Sequence, residues 1–392
     1  MKNKIFILAT IIGAIFVACS DAEYSAEDNK LFIEETGVKA NQRKVYVIEK
    51  EPIELPLTPR LSSVLDKDIK IQIVVDNEYL ETFNKQNGTS YKPLPTFGYE
   101  LNQDEIIIEA GRVLPSGGLS IKVNSYTEEM INSGDNYALP IRIINKDGNT
   151  SVIEGADRIV YALDIIRYAD IPVFGVDRTL GGHRKGEADF STAPITLDNW
   201  TVEFRLHMDS YSINNQAVFN GGGTTELYVR YGDAPIPFNQ FQVKFGGSQI
   251  NSFMGAANKW HHIAMTYDGS KMRIYLNGNL QHTMENAGHI MTLNGSTSVC
   301  SSGSTYFRAE AMMNEVRIWN VCRSESEIRE NFYVVSPETE GLVSYWKMNE
   351  GEGVKFKNQI SGAPDMVVLD AYNNPSNNLR WVPNVKLLNE NF

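Results

Sequence analysis

Apolar and polar side chains alternate along most of the chain from Val45 onward. Ile69, Ile71, Ile73 and Val75 are interleaved with Lys70, Gln72 and Val74. The same period returns at Ile106 and Ile108, at Leu119, Ile121 and Val123, at Leu139, Ile141 and Ile143, and at Ile159, Tyr161, Leu163 and Ile165. Neighbouring side chains on a strand point to opposite faces, so a period of two predicts strands with one buried face. Turn residues separate the runs, as in Ser-Gly-Gly at 116–118 and Asp-Gly-Asn at 147–149, and together they predict a β-sandwich over 41–166. One helix interrupts it. Asp76 can cap NEYLETFNKQN, Leu80 and Phe83 share a face, and Gly88 can end it.

The pattern breaks at RYADIPVFGVDRTLGG, residues 167–182, where Pro172 and paired glycines predict a linker over 167–180. A second β domain is expected over 181–392. Trp200, Val202, Phe204 and Leu206 fall on one strand face, and Thr201, Glu203, Arg205 and His207 on the other. Within KWHHIAMTYDGSKMRIYLNGNLQHTM, Trp260, His262 and Ala264 alternate with His261, Ile263 and Met265. The adjacent histidines therefore point apart and cannot grip one metal ion together. Asp268-Gly269 and Asn277-Gly278 are favoured hairpin dipeptides, so this stretch reads as a three-stranded meander, a scaffold rather than a reaction centre.

Composition narrows the function. A net charge of -12 argues against nucleic acid, which needs basic patches. Three cysteines show no zinc or redox spacing, and pairing of Cys300 with Cys322 stays open. At the start, Lys2 and Lys4 precede an apolar run, Ile5 to Val17, that is shorter than the roughly 20 residues needed to span a bilayer. It fits a secretion signal over 1–19. The ending Phe16-Val17-Ala18-Cys19 resembles a bacterial lipoprotein signal, which implies lipidation of Cys19. The acidic stretch SDAEYSAED that follows reads as a tether within 20–40 and resembles the surface-export signal of Bacteroidetes lipoproteins. These resemblances imply a lipid-anchored protein of the outer membrane facing the cell exterior.

Two further resemblances cover the rest. "NGTSYKPLP", "DEIIIEAG", "LSIKVN" and "NYALPIRI" resemble an N-terminal domain of uncharacterised function in Bacteroidetes surface lipoproteins, found beside glycoside hydrolases and in glycan-capture proteins. "NWTVEFRLH", "KWHHIAMTYDG", "MRIYLNGNLQ", "NEVRIWNVCRSESEIRENF" and "GLVSYWKMNEGEG" resemble, in order and spacing, the laminin-G-like, concanavalin A-like domains. The implied fold is all-β: an immunoglobulin-like sandwich with one helix, then a concanavalin A-like jelly roll. In RSESEIRENF, Ser324 and Glu327 make a capping box, with Ile328 and Phe332 four apart on a short helix.

The fold also carries enzymes. Retaining glycosidases need two carboxyls about 5 Å apart, and no Glu-x-Asp-x-x-Glu pattern occurs. Glu203 with Arg205, and Glu315 with Arg317, read as charge pairs on an exposed strand face. A lyase would need a Tyr or His base beside a neutralising Arg, and no spacing demands one among His207, Arg205, Tyr275 and Arg273. The resemblance allows calcium at the rim, with Asp177, Asp189 and Asp233 as loop candidates, although the family's usual Asp is Asn314 here.

Sugars pack their C–H faces on aromatic rings while amides, carboxylates and Arg take the hydroxyls. Trp200, Trp260 and Trp346 fall at core positions of the family. The stretch YVRYGDAPIPFNQFQV, 228–243, reads as a long loop offering Tyr231, Asp233, Phe238, Asn239 and Gln240; nearby candidates are Tyr306 and Arg308, and His183 and Arg184. The expectation is a non-catalytic surface glycan-binding lipoprotein of a polysaccharide-utilisation system. Its partners would be a poly- or oligosaccharide and neighbouring surface glycan-uptake proteins. The alternatives are a protein-binding adhesin or assembly subunit, or a glycan-cleaving enzyme.

Overall fold

Burial follows the alternation residue by residue. In the first half Ile69, Ile71, Ile73, Leu139, Ile141, Ile143, Ile159, Tyr161 and Leu163 close on one core. In the second half Trp200, Val202, Phe204 and Leu206 close on another, with Ile263, Met265 and Val316. The computed structural model describes residues 29–36, 42–48, 51–148, 150–222 and 227–387. The expected signal, Cys19 and most of the tether lie outside the described residues. Among the described residues no helix is long and apolar enough to cross a membrane.

The first domain builds its main sheet from Gln42–Ile48, Arg158–Ile166, Tyr137–Asn145, Ile69–Val75 and Glu105–Ile108, in that order across the sheet. Two smaller sheets complete the sandwich, one from Ile53–Pro56, Ser120–Val123 and Tyr99–Leu101, the other from Lys30–Ile33, Pro59–Leu61 and Ser151–Val152. Helix α1 (Asn77–Asn87) starts where Asp76 accepts from the Tyr79 amide and stops at Gly88, whose φ is 63°. Leu80 and Phe83 seat it against Ala138 and Val160. A second short helix, α2 (Glu128–Asn132), was not expected; Thr127 caps it through the Met130 amide.

The second domain has two layers. The first runs Tyr168–Val176, Glu310–Trp319, Trp200–Met208, Trp260–Tyr267, Lys271–Leu276 and Asn279–Glu285. The other runs His183–Asp189, Ser296–Val299, Gln216–Asn220, Tyr228–Asp233, Ile236–Phe245 and Ser248–Met254. Helix α3 (Gly303–Tyr306) sits at one end of the second layer and α4 (Glu325–Glu330) lies over the first. The expected meander is present, with Asn277 and Gly278 at φ of 49° and 71°.

Several expectations change. Residues 167–180 are not a linker over most of their length: Tyr168–Val176 is a strand of the jelly roll, with Ile171, Val173 and Phe174 buried. Pro172 is tolerated beside an irregularity in the pairing with Trp381–Lys386, where the register shifts between Ala169 and Ile171 and the ladder does not draw on every amide. The stretch 228–243 is no long loop; it is two paired strands turning over Ala234 and Pro235. Its alternation was masked by the polar residues of its other face. Phe332 lies beyond the end of α4 rather than on it. Cys300 and Cys322 are both free.

Candidate functional site

The strands Tyr228–Asp233 and Ile236–Phe245 send Val229, Tyr231, Phe241 and Val243 into the core, so Tyr228, Arg230 and Gln242 face outward. Pairing places Arg230 opposite Gln242, and Gln242 opposite Asn251 on the next strand. Three strands thus lay a row of planar polar groups across one face. The Arg230 guanidinium donates to Gln242 Oε1 at 2.8 Å, to Asn215 Oδ1 at 2.8 Å and to Asp233. Gln242 Nε2 donates to Asn251 Oδ1 at 2.8 Å, and the Tyr228 hydroxyl to Asn215 Oδ1 at 3.1 Å. Burial raises the Tyr228 hydroxyl above its ordinary range. The row is therefore fixed in place: Gln242 is wholly buried and Arg230 buried, so they act as braces, and the groups left to solvent are half-buried Tyr228, Asn215 and Asp233 and exposed Asn251.

Two exposed rings lie at the end of these strands where the hairpin turns. Phe238 is 46% exposed and Tyr306 42%. Gly232 lets the chain turn tightly under Phe238: a Cβ there would lie 2.9 Å from Phe238 Cα and 3.0 Å from Asn214 Cα. Gln216, paired with Tyr231, accepts from the amides of Arg308 and Ala309 at 3.2 and 3.1 Å, tying the Tyr306–Arg308 segment to the same end. Asn239 and Gln240 are half-buried and donate to the carbonyls of Gly255 and Ser252 at 3.0 and 3.2 Å. Tyr372, which the sequence reading passed over, is 84% exposed on the turn 370–374, after a strand that pairs with His183–Asp189.

Three candidates are corrected. Tyr231 is wholly buried against Tyr211 and Phe241, so its ring cannot stack on a sugar. His183 is buried edge-on to Phe307. Arg184 is buried and donates to Asn378. Each sits on the inward or covered side of a strand whose face the sequence reading had not assigned. Conversely Tyr228, Arg230, Gln242, Asn215 and Asn251 were missed, although the alternation against Val229, Tyr231, Phe241 and Val243 was there to be read. Of the tryptophans, Trp200 and Trp346 are core as expected. Trp260 is only half-buried, under His207 and Arg205.

The calcium candidates do not fit a shared cation. Asp177 is buried and accepts from the amides of Thr179 and Leu180 and from Arg380. Asp189 serves Ser191, and Asp233 serves Arg230. Among the described residues no three His, Cys, Asp or Glu side chains converge as metal ligands.

The outward face of the first layer is not exposed, which corrects the other electrostatic expectation. Helix α4 and the chain after it cover it, leaving Glu203, Arg205, Arg317 and Glu315 buried. Glu203 does not pair with Arg205. It accepts from Trp319 Nε1 at 2.7 Å and Arg323 Nη1 at 2.8 Å, and lies 3.2 Å from His262 Nε2. Burial alone would raise its carboxyl, but Arg323, His262 and Arg317 hold it well below the usual range. Glu315 takes Arg317, as expected of that pair, together with the Tyr345 hydroxyl. Carboxylates so engaged hold the fold, not a substrate.

Comparisons place this geometry among known proteins. Residues 181–329 match the family model of the concanavalin A-like lectin/glucanases superfamily, and residues 26–150 match a model described as an N-terminal domain. Among solved structures, a candidate carbohydrate-binding protein from Bacteroides ovatus aligns with 90% of this chain and 97% of its own, at 20% identity and a TM-score of 0.59. That likeness shows a shared two-domain fold. A pentraxin from Limulus polyphemus (13% identity, TM-score 0.34) covers 53% of this chain and 96% of its own. A Bacteroides ovatus protein of unknown function (13%, TM-score 0.30) covers 69% and 91%. No curated protein matches.

Proposed function

We propose, from a chain whose residues 181–329 form a domain of the concanavalin A-like lectin/glucanase superfamily, that this protein captures glycans without cleaving them. The observation that carries the reading is a row in which buried Arg230 and Gln242 brace the solvent-reaching Tyr228, Asn215, Asp233 and Asn251, with Phe238 and Tyr306 exposed at the hairpin end of its strands. Amides, a carboxylate and a phenol hydroxyl suit vicinal hydroxyls, and exposed rings suit the C–H face of a pyranose. Side chains already locked by one another lose little freedom on binding. The fold likeness to a candidate carbohydrate-binding protein agrees with this reading.

The same proposal carries the cellular context. Anchored through Cys19 on the outer membrane and facing outward, many copies would gain from weak sites acting together. Neighbouring surface proteins for polysaccharide uptake would then receive the captured chains.

The test is a polysaccharide array run beside an assay for released reducing ends. Retention without release supports the proposal, and release by the purified chain overturns it. Arg230→Ala should weaken retention at least about tenfold, equivalent to about 1.4 kcal/mol. Unchanged retention by a folded Arg230→Ala protein would remove this face from the proposal.

A further inference from the structure

A second concavity lies where the two domains meet, away from the polar row. It is a cleft of about 270 Å³, walled on one side by Asn87, Tyr91 and Asn136 of the first domain and on the other by Ser326, Arg329 and Tyr333 of the second. The seam around it is built. Asn136 donates to the Glu330 carbonyl at 2.7 Å, and Ser90 donates to the Glu330 carboxylate. Gly134 packs so closely on the second domain that a Cβ would lie 2.6 Å from Val335 Cα.

The Tyr333 wall has an unusual support. Arg205 is wholly buried, and none of its three guanidinium nitrogens has a hydrogen-bond partner. Its guanidinium carbon lies 5.2 Å from the Tyr333 ring centre on one side and 4.8 Å from the Trp260 ring on the other. A buried cation held by two rings alone is costly, and it does not help the Glu203 cluster, whose donors are Arg323 and Trp319. What it does is fix the Tyr333 ring against the cleft, with Phe332 edge-on at 6.1 Å. A pre-set ring facing amides is a sugar-binding arrangement.

We infer that this cleft binds a single neutral pyranose unit, as a second saccharide subsite independent of the polar row. The size admits one sugar ring, just below the usual range for drug-sized ligands. Neutrality follows from the balance of charges around the cleft: Lys44 pairs with Asp164 at 2.6 Å and Arg329 with Glu325, while Arg167 and Glu330 add one charge of each sign, engaged by the Ile131 carbonyl and the Ser90 hydroxyl. Tyr333 and Tyr91 take the C–H faces, and Asn87 and Asn136 the hydroxyls. Because both domains contribute, occupancy ties them together.

Calorimetric titration of the full chain with methyl glycosides of neutral hexoses and N-acetylhexosamines tests this, with methyl glucuronide as the charged control. The expected result is saturable binding of a neutral glycoside, reduced at least tenfold in Tyr333→Ala. Ser326→Trp, at an exposed wall position, should block the cleft without touching its buried support. Binding unaffected by both cleft variants, binding of the glucuronide alone, or no heat from any sugar would each overturn the inference. Loss in Arg230→Ala with none in the cleft variants would do so while leaving the proposed function standing.

Discussion

At the residue scale the most consequential side chains are buried ones with charge. Glu203 has no exposure, accepts from Arg323 and Trp319, and lies 3.2 Å from His262. Removing one partner of a buried ionic group leaves the others unpaired and typically costs about 3–5 kcal/mol. Glu203→Gln should therefore lower stability by that order in chemical denaturation, with the fold retained. Histidines set the pH response. Burial, then the Arg184 charge, pushes His183 down to about 4, and burial, then His207, does the same for His261. The unfolded chain protonates near the ordinary value of about 6.5. Stability from these two groups is thus fully present above about pH 6.5 and is lost as the pH falls toward 4. Denaturation midpoints at pH 7 and 5 should show the drop, and His183→Phe should make it smaller.

At the scale of the element, local chemistry was legible and faces were not always. Asp76 and Gly88 bound α1 as the sequence indicates, and Ser324 with Glu327 forms the capping box that starts α4. Ser324→Ala should cost about 1 kcal/mol and loosen the cover over the buried face, read as faster amide exchange through 325–332. The strand pair 228–245 shows the limit. Its polar residues suggested a loop, because a strand with amides and Arg on one face carries a weak hydrophobic signal. Only cross-strand pairing reveals that Arg230, Gln242 and Asn251 stand side by side.

Across the whole molecule the two cores are joined by a tight seam. Glu330 receives Ser90 and Asn136, and Gly134 abuts Val335. Gly134 also has a φ of 77°, which a side chain would strain. Gly134→Val should push the domains apart, at a cost of about 1–3 kcal/mol. Calorimetry should then resolve two unfolding transitions where the parent protein shows stronger coupling.

Periodicity by itself determined that this chain is all-β, where its two cores are drawn from, how α1 and α4 begin, and that His261 and His262 point apart. Those are local consequences of side chains alternating along a strand and of capping groups reaching backbone amides. What only the tertiary structure decided is which faces are covered. Tyr231 and Phe238 are seven residues apart in one hairpin, yet one is core and the other exposed. Glu203 and Arg205 share a strand face without pairing, because α4 and the strand Glu310–Trp319 bring Arg323 and Trp319 over that face. Burial and partnership depend on what packs from elsewhere in the chain, and a period of two carries no information about that.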